Sequence, residues 1–197
     1  MKKLFSYLFL ILFSLQTPSQ ADDIRDFQIE GISIGDSLLD YITTDEIEKR
    51  KFFYPGMTSN PKKFASLNLF SDDIEVEIYN EIKIDFKNSD SKYKIYALGG
   101  IIYYDNIKDC YNKKDEIVAE LSNMFKEARK EDAGTKKHFI DKSGKSTTTD
   151  FIYWFKSGDY VLVACYDWSR KYEKKGERDQ LRIGILLKEY NDWLWEQ

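Results

Sequence analysis

The sequence predicts an α+β fold, a mostly antiparallel sheet of five or six strands with one long helix packed on one face. Three observations carry this reading. Several short runs alternate apolar and polar residues with a period of two, one segment alone holds a period of 3.6, and the strand-like runs follow one another through polar turns. A doubly wound parallel sheet needs β and α to alternate along the chain, and they do not do so here.

The elements follow in order. Residues 1–21 read "MKKLFSYLFLILFSLQTPSQA", with a basic start at Lys2 and Lys3, an apolar run from Leu4 to Leu15, and small residues at Ser19 and Ala21. This is the pattern of a signal peptide cleaved after Ala21. The run is too short to span a hydrocarbon layer of about 30 Å. No cysteine follows the cleavage point to carry a lipid. The expectation is a chain that starts at Asp22, has no transmembrane segment and is periplasmic or secreted.

Residues 22–197 read as one α+β domain, with short helices and loop over 22–70 and the sheet plus helix over 71–197. Ile29, Ile32 and Ile34 hold a partial period of two and predict a short strand. Asp36 or Ser37 caps a helical turn through Tyr41, and Thr43 with Glu46 forms a capping box for a helix to about Lys51. "PGMTSNPKK" is a surface loop. Ile74, Val76 and Ile78 alternate with Glu75 and Glu77, which predicts a strand. Ile82, Ile84 and Phe86 alternate with Lys83, Asp85 and Lys87, and "KNSDSK" turns the chain into "YKIYALGGIIYYDN", so residues 81–104 predict an antiparallel hairpin. Gly99 and Gly100 read as a bulge or bend in its return strand.

The long helix has Asn112 as its cap, Asp115 and Glu116 in the first turn, and Ile117, Leu121, Met124, Phe125 and Ala128 on one face. Lys126, Arg129 and Lys130 fill its last turn, with Gly134 beyond. Three β-rich segments follow, "DFIYWF", "DYVLVACYDW" and "DQLRIGILLKEY". Ser157, Gly158 and Asp159 turn between the first two, "SRKYEKKGERD" joins the last two, and "NDWLWEQ" is a short helix closing one edge.

Composition sets limits on function. A hydrophobic share of 42% with 16% aromatic residues is ample for a core. The chain has 30 basic and 34 acidic residues, and without Lys2 and Lys3 the balance is 28 against 34, or −6. An acidic, exported chain of interspersed charge is a poor partner for nucleic acid or an anionic membrane. Cys110 and Cys165 are its two cysteines, and export makes them one disulfide, fastening the start of the long helix to a strand. Two cysteines and one histidine cannot furnish a compact four-ligand metal site, so neither metal nor cofactor is expected.

"ISIGDSLLDY" resembles the first block of the GDSL family of serine esterases, in which an apolar strand leads into Gly-Asp-Ser-Leu. The resemblance covers Gly35, Asp36, Ser37 and Leu38, makes Ser37 the nucleophile, and implies an α/β/α sandwich with parallel strands. In that family the base is a histidine three residues after an aspartate, whereas the one histidine here is His138 and position 135 is Thr. The antiparallel pattern departs from the family as well. Ser37 is therefore read as a helix cap, and no catalytic residue is assigned.

"DKSGKSTTT" ends like a phosphate-binding loop at Gly144, Lys145 and Ser146, but Phe139 stands where the first glycine belongs. Asp141 also lacks the alternating ligands of a calcium loop. The stretch reads as a polar hairpin turn, and His138 as a surface or strand residue. All four tryptophans, Trp154, Trp168, Trp193 and Trp195, lie in the last quarter of the chain. Most are expected in the core between sheet and helix. Trp168, beside Asp167 at a strand end, is the expected exposed anchor, with Trp154 as a second contact.

The chain as a whole resembles the small exported proteins of AT-rich marine bacteria, rich in lysine, isoleucine and tyrosine. That likeness rests on the N-terminus, "FQIEGISIGDSLLDY", "DKSGKS" and "CYDWS", and it implies a compartment and no activity. The functional expectation is a non-catalytic binding module on a disulfide-stapled scaffold, taking a protein, a glycan or an envelope component through Trp168, Asp167 and Trp154. The alternatives are a secreted hydrolase, using Ser37 or a carboxylate pair, and an envelope assembly factor.

Overall fold

The structure, a computed structural model, describes residues 24–53 and 60–195. The expected signal peptide and most of the "PGMTSNPKK" loop lie outside the described residues. The fold is α+β, built on a seven-stranded antiparallel sheet in the order β3-β4-β5-β9-β8-β7-β6. The chain begins with a 3-10 turn (Ile24–Asp26), a small hairpin of β1 (Gln28–Ile29) and β2 (Ile32–Ser33), a second 3-10 turn (Leu38–Asp40), and helix α1 (Thr44–Arg50). The two expected caps are present. Ser37 Oγ accepts the Leu39 N–H, and Thr43 and Glu46 satisfy each other's backbone donors at the start of α1.

Strands β3 (Phe64–Leu69), β4 (Glu81–Lys87) and β5 (Ile95–Tyr103) form a meander, and helix α2 (Ile107–Met124) then carries the chain across one face to the far edge. There β6 (Arg129–Lys137), β7 (Thr147–Trp154) and β8 (Tyr160–Asp167) step inward, helix α3 (Arg170–Glu173) follows, and β9 (Gln180–Leu186) inserts between β5 and β8. Helix α4 (Lys188–Trp195) ends the described chain.

Five expectations need correction. The strand expected at Ile74–Ile78 is bend and irregular chain. Its alternating isoleucines are half-buried, but Glu30 takes the Ile78 and Tyr79 N–H groups and Asp73 takes that of Phe70, so side chains replace a ladder. Strand β3 falls in the stretch read as loop, because "FASLNL" is buried on both faces and has no alternation to reveal it. The long helix starts six residues earlier than expected, on Asn106, whose side chain accepts the Lys108 N–H. It stops at Met124, and residues given to its last turn open β6. Gly99 and Gly100 do not bend β5, which is continuous through both; the irregularity in that hairpin lies between Asp85 and Phe86.

Cys110 and Cys165 form the disulfide, with α-carbons 6.0 Å apart. Cys110 lies inside the first turns of α2 and not before it, and it is fully buried. The bond ties α2 to β8, on which the helix also packs through Ile117, Leu121 and its cap residue Phe125. Tyr153 from β7 donates to Val118 O at 2.7 Å, and Phe27 from the N-terminal segment meets Phe125 edge to face at 5.6 Å. Helix and N-terminal segment together bury one face of the sheet. Among the described residues no helix is long and apolar enough to cross a membrane.

Candidate binding cleft

The other face is not covered from end to end. Helix α4 crosses one end of it, burying Tyr190 and Trp193 against Phe64 and Ala97. At the opposite end the β6–β7 loop and the segment after α3 rise over the sheet, and between the two lies a cleft of about 650 Å³. That volume suits a ligand of one to three rings.

Register explains why the cleft is deep there. Gly99 of β5 pairs with Gly184 of β9, and the same row continues to Lys83 on β4 and Leu162 on β8. Two adjacent strands in the centre of the sheet thus present no side chain at the same level. A β-carbon placed on Gly99 would lie 3.7 Å from Ile183 O and 4.0 Å from Arg182 Cγ, an ordinary contact, so packing alone does not demand glycine at this position.

Charged side chains flank this floor. On β4, Asp85 accepts from the Ser66 hydroxyl and lies 4.0 Å from Lys83 Nζ, while Glu81 accepts from the Tyr103 hydroxyl at 2.5 Å. Burial pulls the Lys83 ammonium down to about 8 against the opposing pull of Asp85, and the charge of Arg182 lowers it further. Burial, reinforced by the Glu81 carboxylate, pushes the Tyr103 hydroxyl up. Asp150 on β7 is also raised by burial, with Lys136 4.0 Å away opposing the shift.

Aromatic rings wall the cleft in two groups. Trp154 and Tyr160 sit at the α4 end with ring centres 4.8 Å apart, and the Trp154 indole N–H donates to Glu131 at 2.9 Å. His138, Tyr166 and Trp168 form a stack at the other end, with His138 and Trp168 only 4.4 Å apart, and Tyr172 backs the Trp168 ring from outside the cleft lining. His138 is buried, which corrects its reading as a surface residue. Burial and the nearby Arg182 charge pull its imidazole down to about 4, and Nδ1 accepts the Ile140 N–H at 3.3 Å, so the ring is neutral.

The β6–β7 loop that supports this stack is the polar turn expected at "DKSGKS". Its centre is Asp141, whose carboxylate takes Ser143, Ser146 and Ser169 donors, and these bonds hold the carboxyl well below its ordinary range. The loop binds its own carboxylate where a phosphate loop would bind a ligand.

Trp168 is only 6% exposed, so the expectation of an exposed anchor is corrected: the ring is a buried wall of the cleft. Trp154 lines the same cleft, whereas Asp167 falls on the other side of β8 and does not. None of the four tryptophans sits between α2 and the sheet. Trp193 is under α4, and Trp195 is 59% exposed at its end. Ser37 lies outside the cleft and donates to Lys92 O at 2.7 Å, an acceptor that is no general base. Among the described residues no three His, Cys, Asp or Glu side chains gather as a metal site would need.

Sequence reasoning missed Lys83, Arg182, Tyr103 and Tyr166. The polar phase of "EIKIDFK" reads as a wet face, and only the pairing of β5 with β9 turns it into the floor of a cleft. No protein-family model, curated protein or solved structure matches the chain.

Proposed function

We propose that the protein is an exported binding module that holds a small ligand in the open-face cleft and does not turn it over. The observation that carries this reading is the Gly99–Gly184 pair. Glycine in the middle of a strand costs stability, and at Gly99 no neighbour requires the missing β-carbon. The space it leaves lies between two groups of aromatic rings suited to stacking on a flat ligand. A hydrolytic reading needs a nucleophile beside a base, and the Ser37 hydroxyl is committed to a carbonyl and a backbone N–H.

The disulfide and the apolar N-terminal run support export. N-terminal sequencing of the native protein is expected to begin at Asp22, and a chain recovered from cells with Met1 intact would refute that part. For the cleft, Gly99→Leu fills the floor and leaves the covered face unchanged. A ligand present at 100 times its Kd stabilises the native chain by about 2.7 kcal/mol, read as a rise in melting midpoint across a panel of sugars and small organic acids. The variant is expected to lose that rise. If no compound distinguishes it from the native chain, the cleft is not the binding site.

A further inference from the structure

Resting on the cleft as the binding site, we propose that its His138 end holds an anion subsite, in which Arg182 and the Trp168 indole N–H grip the oxyanion group of a ring-bearing ligand lying over Gly99 and Gly184.

The carboxylates of the cleft already have partners. Glu81 accepts from Tyr103, Asp85 accepts from Ser66 with Lys83 nearby, and Asp150 accepts from Thr148 at 3.4 Å with Lys136 at 4.0 Å. Arg182 is different. A guanidinium carries five donors, and the one hydrogen bond formed here is a long one, Nη2 to Gln180 Oε1 at 3.4 Å. Its Nε is buried with no acceptor, and no carboxylate of the described residues lies within ion-pair distance. The guanidinium instead lies 4.6 Å from the centre of the Tyr166 ring, which supports its face and leaves its edge donors unused.

Trp168 is a second unpaired donor at the same end of the cleft. Its indole nitrogen is buried without a hydrogen-bond partner among the described residues, although the ring is held by His138 and Tyr172 and its backbone N–H is bonded to Asp179 at 2.8 Å. Trp154, by contrast, has its indole N–H satisfied by Glu131. A buried donor left unpaired costs free energy. Two such donors at one end of one cleft, near Lys83 and a His138 that already refuses a proton, lack a negative group that a ligand can bring. A carboxylate or sulfonate supplies acceptors to both, and the glycine floor leaves room for the ring that carries it.

The test uses two fluorescent probes with one aromatic body, anionic 1-anilinonaphthalene-8-sulfonate and neutral N-phenyl-1-naphthylamine. The native protein is expected to bind the sulfonate about tenfold more tightly, the scale of one charge-assisted bond. Arg182→Met keeps the stem and the contact with Tyr166, and it is expected to erase that preference while leaving the neutral probe within about twofold. Should this variant fail to fold, competition on the unmutated protein replaces it: inorganic sulfate at constant ionic strength is expected to displace the sulfonate and spare the neutral probe. Equal affinity for both probes, lost together in Gly99→Leu and indifferent to Arg182→Met or sulfate, overturns the anion subsite and keeps the cleft. Binding of neither probe, or binding that Gly99→Leu does not weaken, overturns the subsite and the cleft reading together.

Discussion

On the covered face of the sheet, the central strands end in apolar side chains: Ile82, Ile84 and Phe86 from β4, Val161 and Val163 from β8, and Leu181, Ile183 and Ile185 from β9, all buried. On the open face the same three strands, with β5, present Lys83, Asp85, Gly99, Arg182, Gly184 and Leu162. The alternation that produces both sets is the same in the sequence. What separates them is the layer above. Helix α2 and the N-terminal segment seal one face, whereas α4 and the β6–β7 loop stop at the ends of the other, so polar residues that look solvent-facing become the lining of a cleft.

If the covered face is the stabilising one, breaking its covalent tie carries the largest penalty. The disulfide joins cysteines 55 positions apart in the chain. Replacing both with alanine is expected to cost about 4 kcal/mol in the chain-entropy account, measured by urea unfolding against the native chain. A loss under about 1 kcal/mol would mean that α2 holds β8 by packing alone.

Neighbouring glycines give the sharpest contrast. A β-carbon on Gly100 would lie 2.4 Å from the ring of Tyr79 on the covered face, while one on Gly99 meets ordinary contacts in the cleft. Gly100→Ala is expected to destabilise by about 1–3 kcal/mol through overpacking and to leave ligand affinity unchanged. Gly99→Ala is expected to raise stability by about 0.5–1 kcal/mol and to weaken binding. Reversal of that order would erase the distinction between the faces.

These contrasts also mark what the sequence could express. The 81–104 hairpin, the Thr43–Glu46 capping box, the Ser157–Asp159 turn and the disulfide are local, or follow from composition and the expectation of export, and all were legible. Strand β6 was not. "RKEDAGTKK" is an edge strand wet on both faces, where charge guards against pairing with another sheet and leaves no period to read. The start of α2 was hidden for a different reason: Ile107, Cys110 and Tyr111 form its core-facing stripe, but the buried Lys114 interrupts that stripe before Ile117. The cleft was least legible. Arg182 and Lys83 lie 99 positions apart in the chain, and only nonlocal strand order brings them over one floor.

Acid tests the cleft wall. His138 titrates near 4 in the folded chain, below its ordinary 6.5, because burial and Arg182 disfavour the charged ring. As pH falls from 6.5 towards 4, the unfolded chain takes up a proton that the folded chain refuses, so stability that is complete above 6.5 is lost across this window. The expected loss is about 1–2 kcal/mol after allowing for solvent screening. His138→Gln keeps an acceptor for the Ile140 N–H and is expected to lose less between pH 7 and 4.5, measured by thermal midpoints in matched buffers. The depressed carboxyl of Asp141 adds its own loss only below its ordinary 3.8, outside that window. Equal losses in variant and native chain would move the acid sensitivity away from the His138 stack.

The smallest expected effect concerns Ser37, where a motif and a structural role compete directly. Its Oγ accepts the Leu39 N–H at 3.2 Å and donates to Lys92 O at 2.7 Å, joining the N-terminal cover of the closed face to the approach to β5. The neighbouring Asp36 takes the Ser33 N–H and the Tyr41 hydroxyl, so both polar residues of the motif are spent within the segment that contains them. Removing one such cap is expected to cost about 1 kcal/mol. Ser37→Ala should therefore lower the melting midpoint slightly, leave ligand binding in the cleft untouched, and leave any hydrolysis of activated esters at the level of the native chain. Loss of ester turnover on that substitution, with stability preserved, would reverse the assignment: the hydroxyl would then have to leave Lys92 and find a base that the folded arrangement does not offer it.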